Sequence, residues 1–143
     1  MLTRTLCGCL LVAATVFVHV VGLILSLKLL VRAHSRPPTR LWSITWTLIQ
    51  ISWALLLVHS AEIAVWAVFY SWSGCLPTAE ASFYFSGVTY ATVGYGDLVL
   101  PQQWRLLAPV EGLTGILMCG LSTGVFFFVV SRMFSDQFKI NDS

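Results

Sequence analysis

The sequence predicts an all-α membrane protein, with three transmembrane helices and a shorter apolar helix that enters the bilayer without crossing it. Three observations carry this expectation. The chain is 57% hydrophobic and 10% charged, with a mean hydropathy of +0.83, against roughly 25% charged in an ordinary soluble domain. Six Trp, nine Phe and four Tyr in 143 residues are more apolar surface than so short a chain hides in a core of its own. Residues 6–27, 44–70 and 106–133 each reach the length of about 20 residues that a bilayer core of about 30 Å demands. The same composition excludes disorder, collagen-like repeats and a disulfide scaffold, and a net charge of +2 is too small to argue for a nucleic-acid partner.

The first span holds no formal charge, and besides its cysteines only His19 is ionisable. Arg4 followed by an apolar run resembles a signal peptide, but a run of about 22 residues exceeds the roughly 7–15 of such a segment, and no small-x-small site ends it. Lys28, Arg32, Arg36 and Arg40 then crowd the loop before the second span with no acid among them. That bias places the loop in the cytoplasm and the N-terminus outside. Pro37 and Pro38 break any helix there, which excludes a voltage-sensor helix. Attraction to anionic lipid of the inner leaflet, at about 1 kcal/mol per basic side chain, suits the four basic residues.

The second span runs outward and carries His59 and Glu62. Trp42, Trp46, Tyr70, Trp72 and Trp104 fall near span ends, where amphipathic rings sit at the headgroups. Residues 79–91 form the fourth apolar piece, with Thr78 as N-cap, Pro77 before it and Glu80 in the first turn, complementing the helix dipole. Such a helix reaches only about 20 Å at 1.5 Å per residue, so the chain turns back at partial depth. Irregular backbone at that depth is tolerated only where protein shields it or where it lines a water-filled cavity. The third span carries Glu111, with Pro109 in its first turns, and runs inward to Arg132 and Lys139.

The returning segment has its own chemistry. Thr89, Tyr90, Ala91, Thr92, Val93, Gly94, Tyr95, Gly96 and Asp97 together resemble the potassium-channel signature, flanked as in that family by an outer helix, a short pore helix and an inner helix. The resemblance covers residues 42–134 and implies the tetrameric potassium-channel pore architecture: three identical subunits as partners, and potassium as permeant ligand at Thr92, Val93, Gly94 and Tyr95, with Gly96 completing the filter. It implies no cofactor. Stripping water from a cation requires a loop whose carbonyls point one way, hence unusual backbone angles at alternate residues, and Gly94 and Gly96 take φ > 0 without steric cost. Thr92 adds a hydroxyl at the inner mouth, Val93 packs against the pore helix, Tyr95 wedges the loop from behind, and Thr89 and Asp97 support it. The resemblance departs at Val88, where some family members carry a carboxylate that pairs with the acid after the filter. In the inner helix, Gly115 and Gly120 suit either a hinge or close packing, Thr123 faces the cavity, and Phe127 suits a hydrophobic constriction.

The expected organisation is an N-terminal helix with its basic loop (1–41), a pore domain (42–134) and a short cytoplasmic tail (135–143), in a bacterial-type plasma membrane. No catalytic triad or phosphate loop is present, so no enzyme is expected. A weakly selective cation channel and a non-conducting regulatory subunit remain as alternatives. His59, Glu62 and Glu111 lie at similar depth on neighbouring helices, and intramembrane ionisable groups suggest either a polar cluster that makes conduction respond to pH or a protonated or hydrogen-bonded pair with no sensing role. A metal site at His59 and Glu62 lacks a visible third ligand, and His19 reads as an interhelical hydrogen-bond donor. Cys7, Cys9 and Cys75 share the outer side, so a bridge to Cys75 is geometrically open, while Cys119 is expected buried.

Overall fold

Helices α1 (Leu2–Ala33), α2 (Leu41–Trp72), α3 (Ala79–Tyr90) and α4 (Leu107–Asn141) succeed one another in a computed structural model that describes residues 2–33 and 41–141, with no strand among them. Within α1, α2 and α4, the stretches Leu2–Leu30, Trp42–Trp72 and Leu107–Ser135 are long and apolar enough to cross a membrane, which makes this an integral membrane protein. At 29 to 31 residues each they exceed the hydrocarbon thickness and reach into the headgroup region or tilt. Helix α4 continues through Asn141, so the expected tail begins as helix. Arg36 and Arg40 lie outside the described residues, and Lys28 and Arg32 are exposed near the end of α1.

Side-chain pairs set the register. Thr15 meets Trp66, His19 meets Glu62 and Gly22 meets Val58, so α1 runs antiparallel along α2 of its own chain. Tyr70 meets Glu111 and His59 meets Ser122, so α2 and α4 are likewise antiparallel. One end of the bundle therefore gathers the start of α1, the end of α2 and the start of α4. Its core cluster there is Leu11, Trp66, Tyr70, Cys75, Leu76, Phe85, Leu100 and Leu107.

Helix α3 begins at that end. Thr78, in an extended conformation, accepts the Ala81 amide at 3.0 Å on its hydroxyl, satisfying one of the donors that a helix start leaves open. Twelve residues later the helix stops at Tyr90, beside Glu62, ten residues before the end of α2, and by Leu100 the chain is back in the cluster with Tyr70 and Leu107.

Two burial expectations are corrected. Tyr70 is not a headgroup anchor: it is fully buried and donates to Glu111 at 2.8 Å, because the α2 face at that level is covered by α3 and α4. Cys119 is exposed in the single chain.

Candidate functional site

The segment following α3 has a backbone of alternating hand. Thr92, Gly94 and Gly96 have φ of 59°, 51° and 77°, whereas Val93 and Tyr95 between them do not adopt positive φ. Glycine meets this demand freely, and Thr92, a β-branched residue, does not. The amides of Thr92, Val93 and Gly94 fold back onto α3: Thr92 donates to the Thr89 carbonyl at 2.9 Å, and Val93 and Gly94 both donate to the Val88 carbonyl at 2.8 and 3.0 Å. Among the described residues, no backbone amide donates to the carbonyls of 92–96. The segment thus secures three consecutive donors against its own helix and leaves its acceptors open. All of residues 92–97 are exposed in the single chain, with Val93 at 52% and Tyr95 at 72%.

Asp97 has a partner that the sequence did not identify. Tyr84, on α3, donates its hydroxyl to Asp97 Oδ2 at 2.8 Å, while the Leu98 amide donates to Oδ1 at 3.0 Å. With Val88 in the place of a carboxylate, a phenol one turn of helix earlier clamps the acid. Accepting that hydrogen bond, the Asp97 carboxylate holds the Tyr84 phenol above its ordinary range. Burial pushes the Cys75 thiol up as well, and all four cysteines are free.

Behind the segment lie two polar groups, and the expected cluster of His59, Glu62 and Glu111 is divided between them. Fully buried Glu111 accepts from Tyr70 and from Ser86, whose hydroxyl also reaches the Ile63 carbonyl at 2.9 Å. Fully buried Glu62 accepts from the Tyr90 hydroxyl and pairs with His19 Nδ1 at 2.7 Å. His59 Nδ1 stands 3.5 Å from Glu62 and 3.1 Å from the Tyr90 hydroxyl, and its Nε2 is 3.0 Å from Ser122 Oγ. Each carboxylate thus bonds a residue of α3, so both fasten the short helix in place.

Close approach does the same for α4. A Cβ on Gly115 would stand 2.2 Å from the Tyr90 carbonyl oxygen, and one on Gly112 would stand 3.4 Å from that of Thr89, whereas Gly120 and Gly124 face open space. Thr123 is exposed with its hydroxyl bonded back to the Cys119 carbonyl at 2.8 Å, and Phe127 is 71% exposed.

His19 is the residue that sequence reasoning undervalued. Its signal was present: Thr15, His19, Gly22 and Ser26 are small or polar residues recurring every three or four positions in an otherwise apolar helix, and such a stripe turns toward protein, not lipid.

A family model described as an ion channel matches residues 54–132, more than half of the chain and spanning most of α2, all of α3, the 92–97 segment and most of α4. No curated protein and no solved structure matches it.

Proposed function

The chain belongs to the ion channel family, and on that premise we propose that it is a potassium-selective channel subunit, four copies of which pass potassium down its electrochemical gradient through one shared pore. Membership makes it a channel component and not an enzyme. The observation that carries the finer reading is the backbone of 92–97, with φ positive at every second residue and, among the described residues, no backbone amide donating to the carbonyls of 92–96. An alternating hand turns successive carbonyls to one side, and a column of such oxygens replaces the hydration shell of a monovalent cation. One strand surrounds nothing, and four related by a rotation axis enclose an ion. Exposure of the whole segment in one chain suits that arrangement, because each strand then faces the axis and its neighbours.

In this reading Thr92, Val93, Gly94 and Tyr95 coordinate potassium, α3 is the pore helix and α4 lines the cavity. Thr123 and Phe127, on the α4 face that meets no other helix of the chain, border the inner vestibule, with Phe127 as the constriction. The basic residues set the orientation: N-terminus outside, and Lys28 and Arg32 at the inner surface beside anionic lipid.

Purified protein in liposomes carrying a potassium gradient tests the proposal. Flux is expected, with a reversal potential that follows the potassium gradient in mixed potassium and sodium, and Gly94→Asp is expected to abolish it. A reversal potential that ignores the difference between the two ions indicates a weakly selective cation channel, and flux that survives Gly94→Asp runs through some other path.

A further inference from the structure

Glu62 sits deep in the bundle, and its ionic partners are both histidines, one from α1 and one a turn away on α2. A ring nitrogen from each of His19 and His59 and a carboxylate oxygen of Glu62 lie within 4.8 Å of one another. A tetrahedral zinc ion with bonds of about 2.0–2.2 Å holds its ligand atoms about 3.3–3.6 Å apart. His59 Nδ1 stands 3.5 Å from Glu62 Oε2, within that spacing, and His19 Nδ1 stands 2.7 Å from Oε1, a hydrogen-bond distance that widens by roughly 0.6 Å when an ion replaces the proton. The Tyr90 hydroxyl, bonded to Glu62 and 3.1 Å from His59 Nδ1, stands where a fourth oxygen is needed.

We propose that His19, His59 and Glu62 form an intramembrane binding site for a divalent transition-metal ion of the zinc class, set behind the base of the 92–97 segment. Two imidazoles and one carboxylate favour that class over calcium or magnesium, which prefer oxygen ligands. Ser122 supplies the outer support that metal-bound histidines use: with Nδ1 of His59 as ligand, its Nε2–H donates to Ser122 Oγ and fixes the ring. His59 keeps 18% of its side chain exposed, which leaves the ion a face to enter by. Metal and proton compete for the same electron pairs here, because the proton joining His19 to Glu62 must leave before both ligate.

The site has a route to the 92–97 segment. Tyr90 loses its acceptor, or becomes a ligand, when the ion takes Glu62, and it ends the helix whose Val88 carbonyl holds the amides of Val93 and Gly94. Occupancy therefore changes conduction. This effect, but not the binding, rests on the chain being a channel.

Chelator-treated full-length protein in lipid nanodiscs, titrated with cobalt(II), tests the binding directly through the visible absorption of the bound ion. The expected result is saturation at one ion per chain, displaced by zinc, lost in His19→Ala and Glu62→Gln, and kept in Glu80→Gln at the exposed start of α3. Ser122→Ala, a positioning change, is expected to weaken binding by at least about tenfold. Absence of a saturable band in the wild-type protein, which needs no variant to fold, overturns the site, as does full stoichiometry in both His19→Ala and Glu62→Gln. In liposomes, zinc is expected to alter potassium flux of the wild type and not of His19→Ala. Binding without any change in flux overturns the route through Tyr90. Absence of flux with or without zinc overturns the channel reading and leaves the cobalt titration to decide the site.

Discussion

Thr92 has a φ of 59° although it is β-branched, a conformation that costs on the order of 1–3 kcal/mol and persists only where the surroundings hold it. Here the hold is visible: its amide is bonded to Thr89, and the next two amides are bonded to Val88. Glycine explains the same hand at 94 and 96, and sequence reasoning found those two positions because only glycine advertises a positive φ. Thr92 escaped, since nothing in a threonine signals it. Tyr84 escaped for another reason: its value lies in meeting Asp97 across a turn of irregular backbone, which no helical spacing predicts. Tyr84→Phe is expected to loosen the segment, so that potassium current decays faster at neutral pH with the fold intact. The phenol's raised range gives the pH dependence its sign. A neutral donor favoured in the folded state stabilises below the unfolded value of about 10, and that contribution fades as pH climbs through the raised one. Thermal unfolding of the wild type from about pH 8 to about pH 11 should therefore show an alkaline loss that is smaller in Tyr84→Phe.

At the scale of elements, the short helix is held by its two neighbours in different ways. Helix α2 presents Glu62 to Tyr90, while α4 presents Glu111 to Ser86 and the bare backbone of Gly115 to the Tyr90 carbonyl. Gly115→Ala forces a methyl group to 2.2 Å from that oxygen, so α4 must back away, at about 1–3 kcal/mol as for other overpacked cores. Gly120→Ala meets open space within the chain and gains helix propensity of about 1 kcal/mol. Thermal unfolding of the purified protein should accordingly fall for the first and hold or rise for the second, and an equal drop in both would contradict the packing role of Gly115. The length and cap of α3 were legible beforehand, because a mostly apolar stretch of twelve residues after a Thr cap is too short to cross a bilayer. Division of the polar residues into two groups was not legible: Glu62 meets Tyr90 at the end of α3 and Glu111 meets Ser86 a turn earlier, a difference set by the register between helices.

The whole molecule is built so that one end of the bundle is sealed and one side is left open. Leu100 and Tyr70, almost wholly buried, close the end where α3 starts, while 92–97, Thr123 and Phe127 remain uncovered on the other side of α3 and α4. In the proposed assembly, four such open sides meet at an axis and each copy has a share in one ion path. Wild-type chains mixed in equal amount with Gly94→Asp before assembly should then retain about one sixteenth of the flux, because a closed ring of four works only when every strand is intact. Flux nearer one half would point to a path within single chains.

The sequence by itself determined the membrane solvent, the three crossing lengths, the short fourth helix and the returning segment with its glycines. Each of these depends on composition and on local backbone preference, which a chain carries whatever its neighbours do. Only the tertiary structure decided which helix α1 lies against, that Tyr84 holds Asp97, and that His19 joins His59 and Glu62 from a helix forty-three positions away from the acid. Those facts turn on the rotation of one helix about its axis relative to another, and in an almost uniformly apolar span the hydrophobic pattern scarcely distinguishes one rotation from the next.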